Sequence, residues 1–292
     1  MPDPREHIAD GVRAERAGAL DRALESFQAA SRATGADAAA RSEALTRTAD
    51  VFREQCNWEA GLAAAREAQS VARQANLERQ LADARIAEGN VLMIRGDFVA
   101  AMPIFEEVVR AHADPQLRGI ALQNIGSMLA QLGQFGAAER AFQESLGNFQ
   151  KAEYHRGQVI AWNNLGRLAV DRGDHARAKP MLERAVAEAA AIEDADLGAL
   201  ASQNLATALA GTGEPDRAQD LAMSALGHFS GCGNHYREIE CLRLMGDINT
   251  RSGDLVFARR CYERALVLAE TIESEVEARV TRQRLANLPP GR

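Results

Sequence analysis

Aromatic side chains are scarce in this chain of 292 residues: Trp 2, Tyr 3 and Phe 9 make up only 5%. A core of bulky rings is thereby excluded. With 46% hydrophobic residues, the interior has to be filled by Ala, Leu, Val and Ile, which suit helices packed at close range. Long apolar runs are missing as well. None approaches the roughly 20 residues that cross a bilayer, and Met1-Pro2-Asp3-Pro4 offers neither a basic nor an apolar leader. The expectation is a cytoplasmic protein without membrane contact. Positive charge is in deficit: 34 Lys and Arg against 41 Asp and Glu give a net charge of −7 and a pI near 5.5. That balance lacks the basic field that draws a protein to phosphate backbones, so nucleic acid is not an expected partner. Cys56, Cys232, Cys241 and Cys261 are too few and too unevenly spaced for a disulfide scaffold, which predicts a reducing compartment.

Catalytic signatures are also absent. The chain contains no GxxxxGK[ST], no GxGxxG after a strand, no HExxH and no GxSxG. Neither an enzyme nor a cofactor is expected. One cluster, His228, Cys232, His235 and Cys241, has the ligand types that zinc favours. Its spacing lacks the paired arrangement of structural zinc sites, and Cys232 between two glycines reads more simply as a turn. No metal is expected there, and Cys241 and Cys261 read as small buried thiols.

What the sequence does contain is a repeat. A turn motif recurs in "RAGALDRALESF", "EQCNWEAGLAAA", "IRGDFVAAMPIF", "QLGQFGAAERAF", "DRGDHARAKPML", "GTGEPDRAQDLA" and "RSGDLVFARRCY". Its central residues are Gly18, Cys56, Gly96, Gly133, Gly173, Gly213 and Gly253, separated by 38, 40, 37, 40, 40 and 40 positions. Each repeat has a helix-patterned stretch, a turn residue that in six of the seven is a glycine suited to the left-handed backbone of a helix C-terminus, and a second helical stretch. Five positions past the turn stands a small residue: Ala23, Gly61, Ala101, Ala138, Ala178, Ala218 or Ala258. Seven further on come Ala30, Ala68, Val108, Ser145, Ala185, Ala225 and Ala265. Two helical turns separate the sets, so both share one face of the second helix and let a neighbour approach closely.

This pattern resembles the tetratricopeptide repeat. The best single repeat is "WNNLGRLAVDRGDHARAKPMLERAVAEA", where Trp162, Leu165, Gly166, Gly173, Ala178, Leu182 and Ala185 match signature positions. Repeats lengthened to about 40 residues are similar to those of LGN-type adaptors, kinesin light chain and bacterial regulatory arms. The resemblance implies an all-α, right-handed superhelical α-α solenoid of about seven hairpins, forming a single domain over residues 5–288. A hairpin of this size cannot bury its own apolar face, so neighbours must stack. The stretch from Glu275 to Leu288 reads as a terminal capping helix.

Within the repeat, "QNIGSM", "NNLGRL" and "QNLATA" place Asn124, Asn164 and Asn204 at separations of 40 and 40, preceded by Gln123, Asn163 and Gln203. A carboxamide carries an acceptor and two donors, and so can pair with the backbone of an extended peptide whatever its sequence. In the family's fold the first helices line the inner wall, so the resemblance implies a column of carboxamides facing a groove. Helix axes about 10 Å apart match about three residues of extended chain. The competing readings are that these amides satisfy neighbouring helix ends or form a solvated face. Arg167 and Arg243 are candidate clamps for a carboxylate, and Ile86, Met93 and Ile94 a candidate apolar wall in the third repeat. The expected function is a non-catalytic adaptor or scaffold that holds an extended peptide or helix of a partner protein in its concave groove. The alternative is a regulatory sensor arm whose groove takes a small ligand or signalling peptide.

Overall fold

The computed structural model describes residues 3–33 and 37–289. Among them the secondary structure is entirely helical: α1 (Pro4–Arg16), α2 (Leu20–Arg32), α3 (Ala38–Glu54), α4 (Trp58–Gln74), α5 (Glu78–Arg95), α6 (Phe98–Ala111), α7 (Pro115–Gln131), α8 (Phe135–Lys151), α9 (His155–Asp171), α10 (His175–Ala191), α11 (Ala195–Thr212), α12 (Pro215–Gly231), α13 (His235–Ser252), α14 (Leu255–Thr271) and α15 (Glu275–Ala286). The first fourteen pair into seven hairpins, with α15 beyond them as the terminal helix expected from the repeat. None is long and apolar enough to cross a membrane among the described residues.

The turn positions behave as the period requires. Gly18, Gly96, Gly133, Gly173, Gly213 and Gly253 all have positive φ, and Cys56, which stands where the others have glycine, adopts φ +57. In three of the hairpins an aspartate then starts the next helix. Asp97, Asp174 and Asp254 accept hydrogen bonds from the backbone N–H groups of Ala100, Arg177 and Phe257. Each such cap stabilises its helix by about 1 kcal/mol because the first-turn N–H groups have no helical partner. A second set of left-handed residues closes the connections between hairpins: Asn76, Glu153, Glu193, Gly233 and Glu273.

Packing within each hairpin follows a size rule. Seven positions before the turn stand Gly11, Gly89, Gly126, Gly166 and Gly246; nine positions after it stand Phe27, Phe105, Phe142, Leu182 and Tyr262. Each large side chain lies so close to its glycine that an added Cβ would come within 2.4 to 2.6 Å of it. The second and sixth hairpins have Ala49 with Ala65 and Ala206 with Ala222 at these positions, all four fully buried. The summed volume across the helix pair is thus held down by trading glycine–large for alanine–alanine. The small residues five positions past the turn are buried in every hairpin.

The described residues group into two compact units, one up to Glu153 and one from Tyr154 onward. The first contains hairpins one to four; its core includes Phe27, Phe105 and Phe149, each essentially inaccessible. The second contains hairpins five to seven and α15, with a continuous core through Leu182, Leu209, Ile239 and Ala265. In each unit a second helix packs on the first helix of the next hairpin, and neighbouring first helices also touch: α3 with α5, α5 with α7, α9 with α11. No second helix has a comparable contact with another second helix among the described residues. The first helices therefore form the tighter row inside each unit.

Candidate functional site

In the first unit, the row of first helices lines a partly open cavity of about 470 Å³. The register of α3 and α5 builds it. Glu43, Arg47 and Asp50 recur at helical spacing on α3, and Asp83, Ile86, Ala87 and Asn90 do the same on α5, so each set projects from one face. Ile120 of α7 contributes a further apolar surface.

The electrostatics are lopsided. Burial pushes the Asp50 carboxyl above the ordinary aspartate value, against the opposing pull of Arg53 and Arg47. Asp83 is raised too, again chiefly by burial, with Arg79 pulling the other way. Both arginines of the wall are engaged elsewhere: Arg79 donates to Asp114 at 2.8 Å and to Gln116 at 3.3 Å, and Arg47 lies 3.8 Å from Glu15. Asp50 keeps Arg53 at 3.7 Å. Asp83 has neither a hydrogen bond nor an ion pair among the described residues. A half-buried carboxylate facing open space, without a partner and raised by desolvation, is complementary to a cation that brings its own hydrogen-bond donors.

Most of the carboxamides are engaged with neighbouring first helices. Asn124, in the first unit, is 9% exposed, and its Nδ2 donates to Oδ1 of Asn90 on the preceding first helix at 2.8 Å. In the second unit Asn204 Nδ2 donates to Oδ1 of the buried Asn163, also at 2.8 Å. Gln203 is buried and donates to Glu240 at 3.0 Å, while its Oε1 has no partner. Four of the six amides thus tie first helices to one another within their units. Gln123 and Asn164 are half-buried and make no side-chain hydrogen bond among the described residues. Arg167 is exposed, with Asp171 at 3.4 Å. Arg243 is not available as a free clamp, because its guanidinium is held by Glu277 of α15. Asp247 beside it is likewise occupied, by Tyr262 and Arg284. The proposed apolar wall divides: Ile86 lines the cavity, Met93 packs on the core and Ile94 is exposed.

The cysteine and histidine cluster also separates. Cys241 is buried and its thiol is pushed up to about 12 by desolvation, while His235 contacts Glu238 at 2.9 Å. Cys261 is buried as well, its thiol raised to about 11 for the same reason. His228 and Cys232 stay together, and Asp196 joins them from 32 residues earlier.

Three features were not foreseen from the sequence: the acids of α3 and α5, the pairing of Asn90 with Asn124, and Asp196. Only the first left a signal, the helical spacing of Glu43 with Asp50 and of Asp83 with Asn90.

Residues 117–189 match the family model of the tetratricopeptide repeat. No curated protein matches the chain. Among solved structures the chain is similar to a tetratricopeptide repeat protein from Parabacteroides merdae, with 17% identity, 97% of each chain covered and a TM-score of 0.56. It is also similar to the apo form of the quorum sensor NprR from B. thuringiensis, at 13% identity and TM-score 0.70, covering 90% of this chain and 75% of that one. A third is a Rap protein complexed with Competence and Sporulation Factor, at 16% identity and TM-score 0.66, covering 97% of this chain and 73% of that one. At these identities the likeness is one of fold.

Proposed function

We propose that this chain, which belongs to the tetratricopeptide-repeat proteins, is a non-catalytic interaction module that takes up an extended segment of a partner protein along its first helices. The observation that carries this reading is the cavity between α3, α5 and α7, where Asp83 stands without a partner above an apolar surface of Ile86, Ala87 and Ile120. Such a recess accepts a long side chain whose stem is apolar and whose tip is cationic, the description of arginine or lysine. In the second unit, Asn164 has the carboxamide left over for a peptide backbone, and exposed Arg167 lies one turn further along α9. Asn124, Asn163 and Asn204 act in this reading by fixing the spacing of the first helices, and Gln203 and Gln123 by flanking them.

The test is a panel of immobilised peptides probed with the full chain. Peptides with basic side chains should be retained, and Asp83→Asn should weaken that retention roughly tenfold, the loss of a desolvated charge pair. Binding that is indifferent to basic residues and to Asp83→Asn overturns the reading.

A second reading, a regulatory arm that senses a small ligand or signalling peptide, draws on the size of the cavity, which falls within the 300–1,000 Å³ of small-molecule sites. The likeness to a quorum sensor and to a Rap protein solved with a bound factor points the same way. A sensor should change its scattering radius on binding a free peptide, with no protein partner present. An unchanged radius at saturation favours the adaptor.

A further inference from the structure

At the far end of the sixth hairpin, three different metal-ligating side chains converge in the second unit. Asp196 is the second residue of α11; His228 lies in the last turn of α12 and Cys232 caps it. His228 and Cys232 are four residues apart, the spacing that sets two ligands on one face of a helix. The antiparallel return of the hairpin brings the start of α11 beside them. His228 Nε2 is 2.7 Å from Asp196 Oδ1, and the carboxylate oxygen, imidazole nitrogen and thiol sulfur all lie within 4.8 Å of one another.

Phe229 orients two of the three side chains. Buried Phe229 sits edge-on to the His228 ring, with centroids 5.7 Å apart, and fixes its orientation. Cys232 Sγ is turned back toward the Phe229 carbonyl at 3.5 Å. Outward, the site is open: the Asp196 side chain is 81% exposed and Cys232 is also exposed. Solvent therefore reaches the side that the three residues leave free.

We infer that Asp196, His228 and Cys232 bind one divalent transition-metal ion, with zinc the best match to the donor set. One sulfur, one nitrogen and one oxygen are all ligands of zinc in tetrahedral sites, whereas magnesium and calcium demand oxygen alone. Zinc bonds of roughly 2.0 to 2.3 Å in a tetrahedron place donors about 3.5 Å apart. The Asp196–His228 contact of 2.7 Å is shorter than that value, so it opens by side-chain rotation to admit the ion, and the sulfur, no more than 4.8 Å from either atom, is within reach of the same centre. Water takes the fourth position. The ion clips the beginning of α11 to the end of α12, and because it binds the folded hairpin it raises stability with the logarithm of its free concentration above the dissociation constant. His235 and Cys241, the other members of the sequence cluster, lie outside the site.

The decisive experiment uses the full chain, reduced and stripped with chelator, titrated with cobalt(II) as a spectroscopic stand-in and with zinc in competition against a chromophoric chelator. The expected result is one equivalent of cobalt with a thiolate-to-metal charge-transfer band in the near ultraviolet. That band should persist in Cys56→Ser and disappear in Cys232→Ser. Zinc affinity should fall roughly tenfold or more in His228→Ala and in Asp196→Ala, a loss at least as large as that of an outer-shell partner, and should be unchanged in His235→Ala. Zinc should raise the melting temperature of the wild-type chain and not that of Cys232→Ser. Absence of the band, its survival in Cys232→Ser, or zinc affinity unaltered in His228→Ala overturns the inference.

Discussion

Asn163 Oδ1 accepts a hydrogen bond from Asn204 Nδ2 across 2.8 Å, joining α9 to the next first helix, α11, through a pair of side-chain amides. Asn163 is 4% exposed, so its side chain lies in the packing between the two helices. Asn164, its neighbour in sequence, is rotated about 100° around the helix and is half-buried without a side-chain hydrogen bond. Two adjacent amides on one helix thus do different work. Asn163→Ala should destabilise the chain by about 1 to 3 kcal/mol, since it strands the Asn204 donor in a half-buried position. Asn164→Ala should leave the urea midpoint nearly unchanged and weaken peptide retention. Equal midpoints for the two variants would contradict this division.

The glycine–large pairs set a limit on core volume. A Cβ on Gly126 would meet the Phe142 ring at 2.6 Å, and the ring is itself buried. Gly126→Ala should cost about 1 to 3 kcal/mol, the usual range for overpacking a filled core. Gly147 is the control, because a Cβ there meets nothing within 4 Å. Gly147→Ala should gain about 0.5 to 1 kcal/mol from helix propensity alone. Denaturant unfolding of the two variants should therefore shift in opposite directions.

Cys56 is the irregular member of the turn series. Its φ of +57 forces an L side chain into a backbone region that costs it about 1 to 2 kcal/mol, while the other six turns have glycine. Its side chain is exposed and contributes no packing to offset that strain. Cys56→Gly should stabilise the second hairpin by about 0.5 to 1 kcal/mol, after the greater freedom of glycine in the unfolded chain is deducted. Gly173→Ala, at φ +76, should do the reverse by about 1 to 2 kcal/mol. A rise in melting temperature for the first and a fall for the second is the expected pair.

These three cases also show why the fold was legible in the sequence and the site much less so. The period, the turn glycines and the buried small residues are requirements of each hairpin alone, repeated seven times, so Gly173, Ala178 and Ala185 stand out by recurrence. Asn124 and Asn164 recur as well, but what an amide touches depends on the next helix. Asn90 reaches Asn124 from an unaligned position of the repeat, and Gln203 turns toward Glu240. Arg243 looked free until α15 brought Glu277 to it. The acids of the cavity recur only in part: Glu43 and Asp83 both lie thirteen residues before their turns, as Glu240 does, but Ile120, Ile160 and Leu200 fill that position in the repeats between.

Asp83 gives the cavity a pH signature. Its carboxyl titrates above the ordinary value in the folded chain because burial disfavours the charged form. Unfolding returns it to water, where it ionises more readily. The folded state therefore holds this proton to higher pH than the unfolded state, and stability is lost as pH rises from 3.8 through the raised value. Above that window the full penalty of a desolvated charge remains. Asp83→Asn removes the charge, so at pH 7 the variant should melt higher than the wild type. The gap should close as pH falls below 3.8, where both chains have a neutral group at this position. A cationic peptide should reverse the order: bound beside Asp83 it stabilises the ionised carboxylate, so the wild type gains in melting temperature at pH 7 while Asp83→Asn gains little. A melting curve for Asp83→Asn that follows the wild type across the whole pH range, with and without peptide, would mean that this carboxylate is solvated and takes no part in recognition.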